Sequence, residues 1–349
     1  MCDLVEELVS PRKAAHLAAC LDEASQFPTD EWSRYGLVPE AFPEMDLDDV
    51  DCSARLLGYD LSFPFIIGAM TGGAPVGARP WNHELAQLAQ RQRVGLCLGS
   101  MRALVENQGF LDQFDVRSIA PDVPIIGNAG LWQLRSVEFR SSLSAVIERL
   151  SLDAIFIHVN APQELCQKGG DRSFRGALDA LELFSRESPV PVLLKDVGFG
   201  LTTSHVERVV SMPLLAIDVG GIGGTHFVRV EQLASGSMST SPLCEALEEW
   251  GTPTPRLVAD WHRALMSASP CPPLLIASGG VNSPGRMALA FAMGADFVSA
   301  ARPILVQLHA GGIEAASHWL EEAREVLRHI CLLCGASTPQ RLKGAYRRL

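Results

Sequence analysis

The sequence predicts a single closed (β/α)8 barrel preceded by an N-terminal extension, and three observations carry that expectation. Eight apolar runs of strand length recur: Phe65–Ala69, Val94–Leu98, Val123–Ile126, Ala154–Ile157, Val192–Leu194, Leu214–Ile217, Leu274–Ala277 and Phe297–Ser299. Helix-like stretches separate them, which indicates parallel βαβ units whose strands are buried on both faces. Each run also ends in a polar or glycine-rich turn, the strand end at which barrel enzymes place their chemistry. An open doubly wound sheet is the alternative, because glycine-rich turns occur there as well.

In chain order, residues 1–60 read as an extension folding over the barrel mouth, and residues 61–349 as the barrel with C-terminal helices. SPRKAAHLAACL is a short helical start that brings Arg12, Lys13 and His16 close on one side of a turn, either as a solvated face or as a functional cluster. A segment dotted with Pro and acids then runs through Glu44 to Asp51. The helix-like stretches are Asn82–Gln92, Leu134–Leu150, Phe174–Arg186, Ser204–Val210, Arg256–Met266 and Pro284–Ala292, many opened by Ser, Thr, Asp or Pro. The strand-end turns are MTGG at 70–73, GSMR at 99–102, GNAG at 127–130, HVN at 158–160, KDVGFG at 195–200, DVGGIGGTHF at 218–227, SGGVNS at 278–283 and AARP at 300–303.

A 47% hydrophobic and 20% charged composition is that of a globular chain. The net charge of −11 argues against a nucleic-acid surface, so an anionic ligand needs a local cationic site. Nine cysteines without a framework, and an acidic start without an apolar leader, predict free thiols and a cytoplasmic protein. Cys331 and Cys334 form a lone CxxC that reads as a buried helix face rather than a metal or redox site. The longest apolar stretch, Met287 to Leu305, is interrupted by Asp296 and Arg302, so no membrane span is expected.

The densest chemistry lies in HVNAPQE, residues 158–164. His158, Asn160 and Gln163 can donate hydrogen bonds to a phosphate, while Glu164 is the hard oxygen ligand Mg²⁺ takes beside substrate phosphates. A capped loop after a core strand is the plainer reading. The glycine pair in SGGVNS after the seventh strand and the AARP turn after the eighth, each before a helix start, suit a phosphate cradle. Lys195 ends an apolar strand and needs an anion or a polarised carbonyl. A Schiff-base lysine, a flavin anchor and a salt bridge to Asp196 or Asp218 all fit it. Asp218 reads equally as a loop brace.

Taken together, RKxxH, MTGG, GSMR, HxNxxQE, GDRSF, KDVGFG, DVGGIGGT, WGTPT, ASGG and GAD resemble the FMN-dependent type 2 isopentenyl diphosphate isomerases nearly end to end. The resemblance implies a TIM barrel that interconverts isopentenyl and dimethylallyl diphosphate, a 1,3-proton shift in isoprenoid biosynthesis. Reduced FMN is the active form there, Mg²⁺ assists, and NADPH serves only to reduce the flavin. It implies FMN contacts at Ala69, Met70, Thr71, Ser100, Asn128, Lys195, Thr225, Gly279, Gly280, Asn282, Ala301 and Arg302. It places Arg12, Lys13, Ser100, Met101, Arg102, His158, Asn160 and Gln163 around the diphosphate, with Gln163, His158 and Asn160 as catalytic residues and Glu164 on Mg²⁺. A homo-oligomer, tetramer or larger, is also implied.

Asn282 stands where the family usually has Arg, and Arg302 where an apolar residue is common. Arg302 is therefore expected to replace the missing charge at the FMN phosphate. Otherwise Arg302 points to solvent and Asn282 caps the helix starting near Pro284. His226 also occupies a position usually given to a smaller residue. An FMN-dependent 2-hydroxy-acid oxidase and a flavin-free, non-catalytic barrel are the competing functions.

Overall fold

The computed structural model describes residues 11–70, 78–167, 169–235 and 241–349, with the side chains of residues 11–14 and 78 also left aside. The barrel strands are β1 (Phe65–Ile67), β2 (Gly95–Cys97), β3 (Ile125–Gly130), β4 (Ala154–Val159), β5 (Val192–Asp196), β6 (Leu214–Asp218), β7 (Leu274–Ala277) and β8 (Phe297–Ala300). All neighbours are parallel, and β8 closes on β1 through Val298 opposite Phe65 and Ala300 opposite Ile67. The open sheet is thereby ruled out. Apolar runs long enough to face both the helices and the interior leave no edge to protect.

Alternate residues of the strands fill the barrel. Ile66, Cys97, Ile126, Phe156, Leu193 and Ile276 form one buried cluster. A hairpin, Ala54–Leu56 paired with Tyr59–Leu61, adds Leu56 and Leu61 to that cluster and plugs the floor. Its two-residue turn holds Leu57 and Gly58 at φ of 52° and 89°, the positive values a twisted two-residue hairpin turn demands. Tyr59 Oη donates to Asp153 Oδ1 at 2.9 Å, tying the hairpin to the start of β4. Residue 60 falls inside this hairpin, so the extension and the barrel share one core.

The first described helix of the extension lies at the other end of the barrel. This helix, Pro11–Leu21, packs on the helices Phe227–Ala234 and Arg302–Leu333. The chain then crosses the strand-end turns: His226 N donates to Ser25 O at 2.7 Å, Phe27 N to Gly224 O at 2.9 Å, and Trp32 Nε1 to Gly279 O at 3.3 Å. Further on, Tyr35–Leu37 pairs antiparallel with Tyr346–Arg348 near the C-terminus, a ribbon that the sequence pattern does not announce.

Most predicted elements appear with small shifts of boundary. The stretch Leu134–Leu150 divides into a short 3-10 turn, Leu131–Arg135, and a helix, Val137–Arg149, because Ser136 caps the latter by accepting from Phe139 N at 3.1 Å. Cys331 is buried on the final helix and Cys334 ends it, both as free thiols. Among the described residues, no helix is long and apolar enough to cross a membrane.

Candidate active site

The strand-end turns and the extension enclose a cavity of about 640 Å³, within the range of small-molecule and cofactor sites. Strand register sets its rim: His158 pairs with Lys195, and Lys195 with Asp218, so three polar side chains end adjacent strands. His16 and Gln26 of the extension complete the wall.

The β4 end is a connected polar network. His158 Nδ1 lies 2.8 Å from Asn128 Oδ1. Burial, assisted by the Lys195 charge, pushes the imidazole down to about 3, so His158 is neutral at neutral pH and offers a hydrogen bond rather than a charge. Asn160 precedes the helix Ala161–Cys166. Its Oδ1 accepts from Trp132 Nε1 at 2.8 Å, and its Nδ2 donates to Glu164 Oε1 at 2.8 Å and more weakly to Gln163 Oε1 at 3.4 Å. Asn160 is 5% exposed. Asn160 also lines the cavity, and through these bonds it sets the orientation of its two neighbours, Gln163 and Glu164.

Glu164 Oε2 accepts from Asp171 N at 2.7 Å, and Arg172 holds the Glu164 carbonyl. This closure requires glycine at 170, where a Cβ would stand 2.2 Å from that carbonyl oxygen. Each carboxylate oxygen of Glu164 keeps a lone pair for a further partner. Gln163 Nε2 donates to Glu231 Oε1 at 2.8 Å, and His16 Nε2 lies 3.2 Å from Glu231 Oε2. Glu231, on the helix after the GGTHF turn, escapes sequence reasoning because no motif marks it; only the fold brings it to Gln163.

Arg102 lines the cavity between Glu106, at 3.0 Å, and Asp171, at 3.7 Å. Ser100 is also on the wall, but Met101 is not: its side chain is fully buried against β3. Met101 N donates to Asn128 O at 2.8 Å, a main-chain brace of the turn. Arg12 and Lys13 begin the N-terminal helix, and their side chains lie outside the described ones, as does the whole of Thr71.

Along β5 to β8 the wall changes character. Lys195 Nζ donates to the Asp196 carbonyl at 3.0 Å rather than to either nearby carboxylate, so neither salt-bridge alternative forms. Asp196 Oδ1 instead accepts from Phe199 N and Gly200 N at 2.7 and 2.9 Å, while burial raises its carboxyl to about 6. Asp218 is fully buried; Oδ1 accepts from Ser278 Oγ at 2.6 Å, and Oδ2 has no partner among the described residues. Burial raises its carboxyl as well, against the pull of Lys195. A polar atom orphaned on a cavity wall suits a bound polar ligand.

The turns after β6 and β7 interlock through glycine. A Cβ at Gly279 (φ 99°) would lie 2.0 Å from Gly221 O, and one at Gly280 (φ 73°) 2.1 Å from Gly223 O. Ala69, Met70, Thr225 and Ala301 also line this part, and Asn282 is exposed to it. Ser283, not Asn282, caps the helix Pro284–Ala292. Arg286 Nη1 donates to Gly280 O at 3.0 Å and Nη2 to Asp30 at 2.7 Å. Arg302 lines the cavity, but its guanidinium is engaged elsewhere: Nε donates to Cys20 O at 3.0 Å, and Nη2 to Leu21 O at 3.1 Å and Glu23 Oε1 at 2.8 Å. Its Nε and Nη2 thus face the extension rather than solvent.

His226 is a bracket. It stacks on Phe27 with ring centroids 4.3 Å apart, meets Phe199 edge-on, and its Nε2 faces the Leu247 and Glu248 carbonyls.

The FMN-dependent dehydrogenase family profile matches residues 159–348. An isopentenyl-diphosphate delta-isomerase of Mycolicibacterium vanbaalenii is 38% identical over 336 residues, covering 95% of either chain. That of Deinococcus radiodurans is 35% identical over 96% of this chain and 97% of its own, and that of Pyrococcus abyssi 33% over 97% and 92%. Among solved structures, a mandelate oxidase variant with (S)-mandelic acid superposes with a TM-score of 0.67 at 17% identity, covering 99% of this chain and 96% of that one. Flavocytochrome b2 with bound pyruvate gives 0.68 at 16% identity, over 97% and 83%. At such identities the likeness concerns the barrel alone.

Proposed function

This chain belongs to the FMN-dependent isopentenyl-diphosphate delta-isomerases, and from that membership we propose how its residues divide the work. It is an isomerase of isoprenoid biosynthesis, moving one proton across an allylic system between isopentenyl and dimethylallyl diphosphate. The wall from β5 to β8 fits FMN: glycine turns with no room for a Cβ, two helix N-termini and, among the described residues, a lysine without a carboxylate partner and an orphaned carboxyl oxygen. Lys195 would hold the electron-rich end of the ring. Gly279, Gly280, Asn282 and the main chain at Ala301–Arg302 would hold the phosphate. Ala69, Met70, Ser100, Asn128 and Thr225 would hold the remainder, with Thr71. When bound, reduced FMN supplies acid–base chemistry beside the alkene.

The diphosphate is the task of Ser100, Arg102, His158 and Gln163 with the Arg12–Lys13 pair. Mg²⁺ would sit on Glu164: among the described residues no cluster of three metal ligands occurs, and one carboxylate plus substrate phosphates is an arrangement Mg²⁺ commonly takes. Gln163 would hold and orient the reacting end, itself fixed by Asn160 and Glu231. NADPH as reductant, a homo-oligomer and a cytoplasmic setting complete the reading.

The observation that carries this assignment is the adjacency of Gln163 and Glu164 on one buried amide, Asn160, so that a metal ligand and a substrate-orienting group are set by one bracket. A hydroxy-acid oxidase would need a histidine beside carboxylate-binding arginines near the last strands; there Arg286 and Arg302 are already engaged, and His158 lies on β4. Anaerobic assay of the purified protein with reduced FMN and Mg²⁺ tests the function. A yellow protein that isomerises only after reduction is expected. Turnover of a 2-hydroxy acid, or failure to take up FMN, overturns it.

A further inference from the structure

The N-terminal helix Pro11–Leu21 delivers His16 to the cavity, where Nε2 meets Glu231 Oε2 at 3.2 Å. Any such helix ends on main-chain carbonyls that lack helical partners. A cation near that end satisfies them and suits the helix dipole, yet the last turn here holds no basic residue. Arg302 supplies one from the far side of the sequence, through its bonds to Cys20 O and Leu21 O. Arg302 is also the first residue of the helix after β8, next to Ala301 on the cofactor wall. Its main chain therefore belongs to the phosphate turn, while its side chain belongs to the extension.

We propose that Arg302 is a positioning residue: by capping the N-terminal helix it holds His16 against Glu231, and thereby orients Gln163. The proposal rests on the isomerase reading of the cavity. His16 lies one turn before Cys20, about 6 Å along the axis at 1.5 Å per residue. A slip of about 1 Å at that distance opens the 3.2 Å contact beyond hydrogen-bond length. Misplacement on that scale costs up to about 10²-fold in rate when it reaches the reacting groups. An occupied phosphate turn fixes the point from which the side chain reaches, so FMN binding and ordering of the helix are linked through this residue.

Amide hydrogen exchange and steady-state kinetics test it together. In the parent, FMN slows exchange across residues 11–21. In Arg302→Leu that protection is lost and kcat/KM falls about tenfold, while the FMN Kd stays within about twofold. Arg302→Lys recovers part of both effects, since an ammonium still donates to helix-end carbonyls; it also carries the comparison if the leucine variant does not fold. In a His16→Ala background, Arg302→Leu adds no further loss. Additive losses in the double variant overturn the proposal. So does an FMN Kd weakened tenfold or more, which would make the guanidinium a phosphate ligand. If the parent itself fails to isomerise, the functional reading falls, and the exchange data still decide whether Arg302 links FMN to the helix.

Discussion

Replacing Glu231 by Gln tests whether the orientation of Gln163 governs turnover. In the structure Glu231 Oε1 accepts from Gln163 Nε2 at 2.8 Å, and its other oxygen meets His16 at 3.2 Å. A hydrogen bond to a charged group contributes about 1.5–3 kcal/mol, and one between neutral groups about 0.5–1.5. The isosteric amide keeps the shape and loses the charge, so about 1–1.5 kcal/mol of orientation disappears, or roughly 5- to 12-fold in rate. Glu231→Ala removes the acceptor altogether and is expected to cost about 1.5–3 kcal/mol, roughly 10- to 150-fold. The loss belongs mainly in kcat, because on the proposed reading Gln163 acts on the bound substrate rather than on FMN. Initial rates under anaerobic conditions with reduced FMN, beside an FMN titration, read both quantities. A Glu231→Gln variant with the parent kcat refutes the reasoning, as does one whose whole deficit is weaker FMN binding.

Three further outcomes are expected. Glu164→Gln turns an amide toward donors that now meet a carboxylate, Asn160 Nδ2 and Asp171 N; Mg²⁺ affinity measured by titration in the presence of substrate should fall by about tenfold or more while FMN is retained. Loss of flavin with normal Mg²⁺ binding contradicts the assignment of Glu164. Gly280→Ala places a Cβ 2.1 Å from a main-chain oxygen at a φ of 73°, so the turn must move, and the FMN Kd measured by flavin fluorescence should rise about tenfold or more. An unchanged Kd separates this turn from the cofactor. Burial depresses His158 to about 3 from its ordinary value of 6.5, so the unfolded chain binds more protons between these limits. Its contribution to stability is complete above pH 6.5 and is lost as pH falls toward 3; denaturation midpoints should show a shallower acid decline in His158→Gln, and NMR titration of His158 between pH 5 and 8 contradicts the burial argument.

Much of the architecture was legible because the barrel is written locally. Eight apolar runs each need to hide two faces, and each is followed by a turn whose composition differs from its strand. The β4 end was legible for a related reason, since a short helix brings residues close in sequence together: Asn160, Gln163 and Glu164 lie within one turn or so of each other. Glu231 was not, because its partner Gln163 is remote in sequence and the intervening βα units decide where it lands. The role of Asn160 was half visible. Its type announces hydrogen bonding, but whether the amide faces a substrate or its own helix depends on Trp132, whose indole fixes Oδ1. The burial of the Met101 side chain was not legible, since membership of a polar turn says nothing about which side of the turn a side chain takes.

Arg302 shows where sequence reasoning reaches its limit. A guanidinium beside a phosphate turn has two kinds of acceptor within reach, a phosphate oxygen and the carbonyls ending a neighbouring helix, and both satisfy the same donors. Sequence supplies the first candidate through the place of Arg302 just after the eighth strand and hides the second, because the helix that needs a cap lies at the opposite end of the chain. Once the fold brings Cys20 and Leu21 to Arg302, the proposed phosphate turn would rely on main-chain N–H groups and helix N-termini, while the extension gains its cap. The substitution of Arg by Asn at 282 and the presence of Arg at 302 are then separate matters: the first lowers the charge at the cradle, and the second fastens the segment that closes over it. Asn282→Arg should accordingly tighten FMN in the parent and in Arg302→Leu by the same factor. A gain that depends on which residue stands at 302 would mean that the two positions share one phosphate after all.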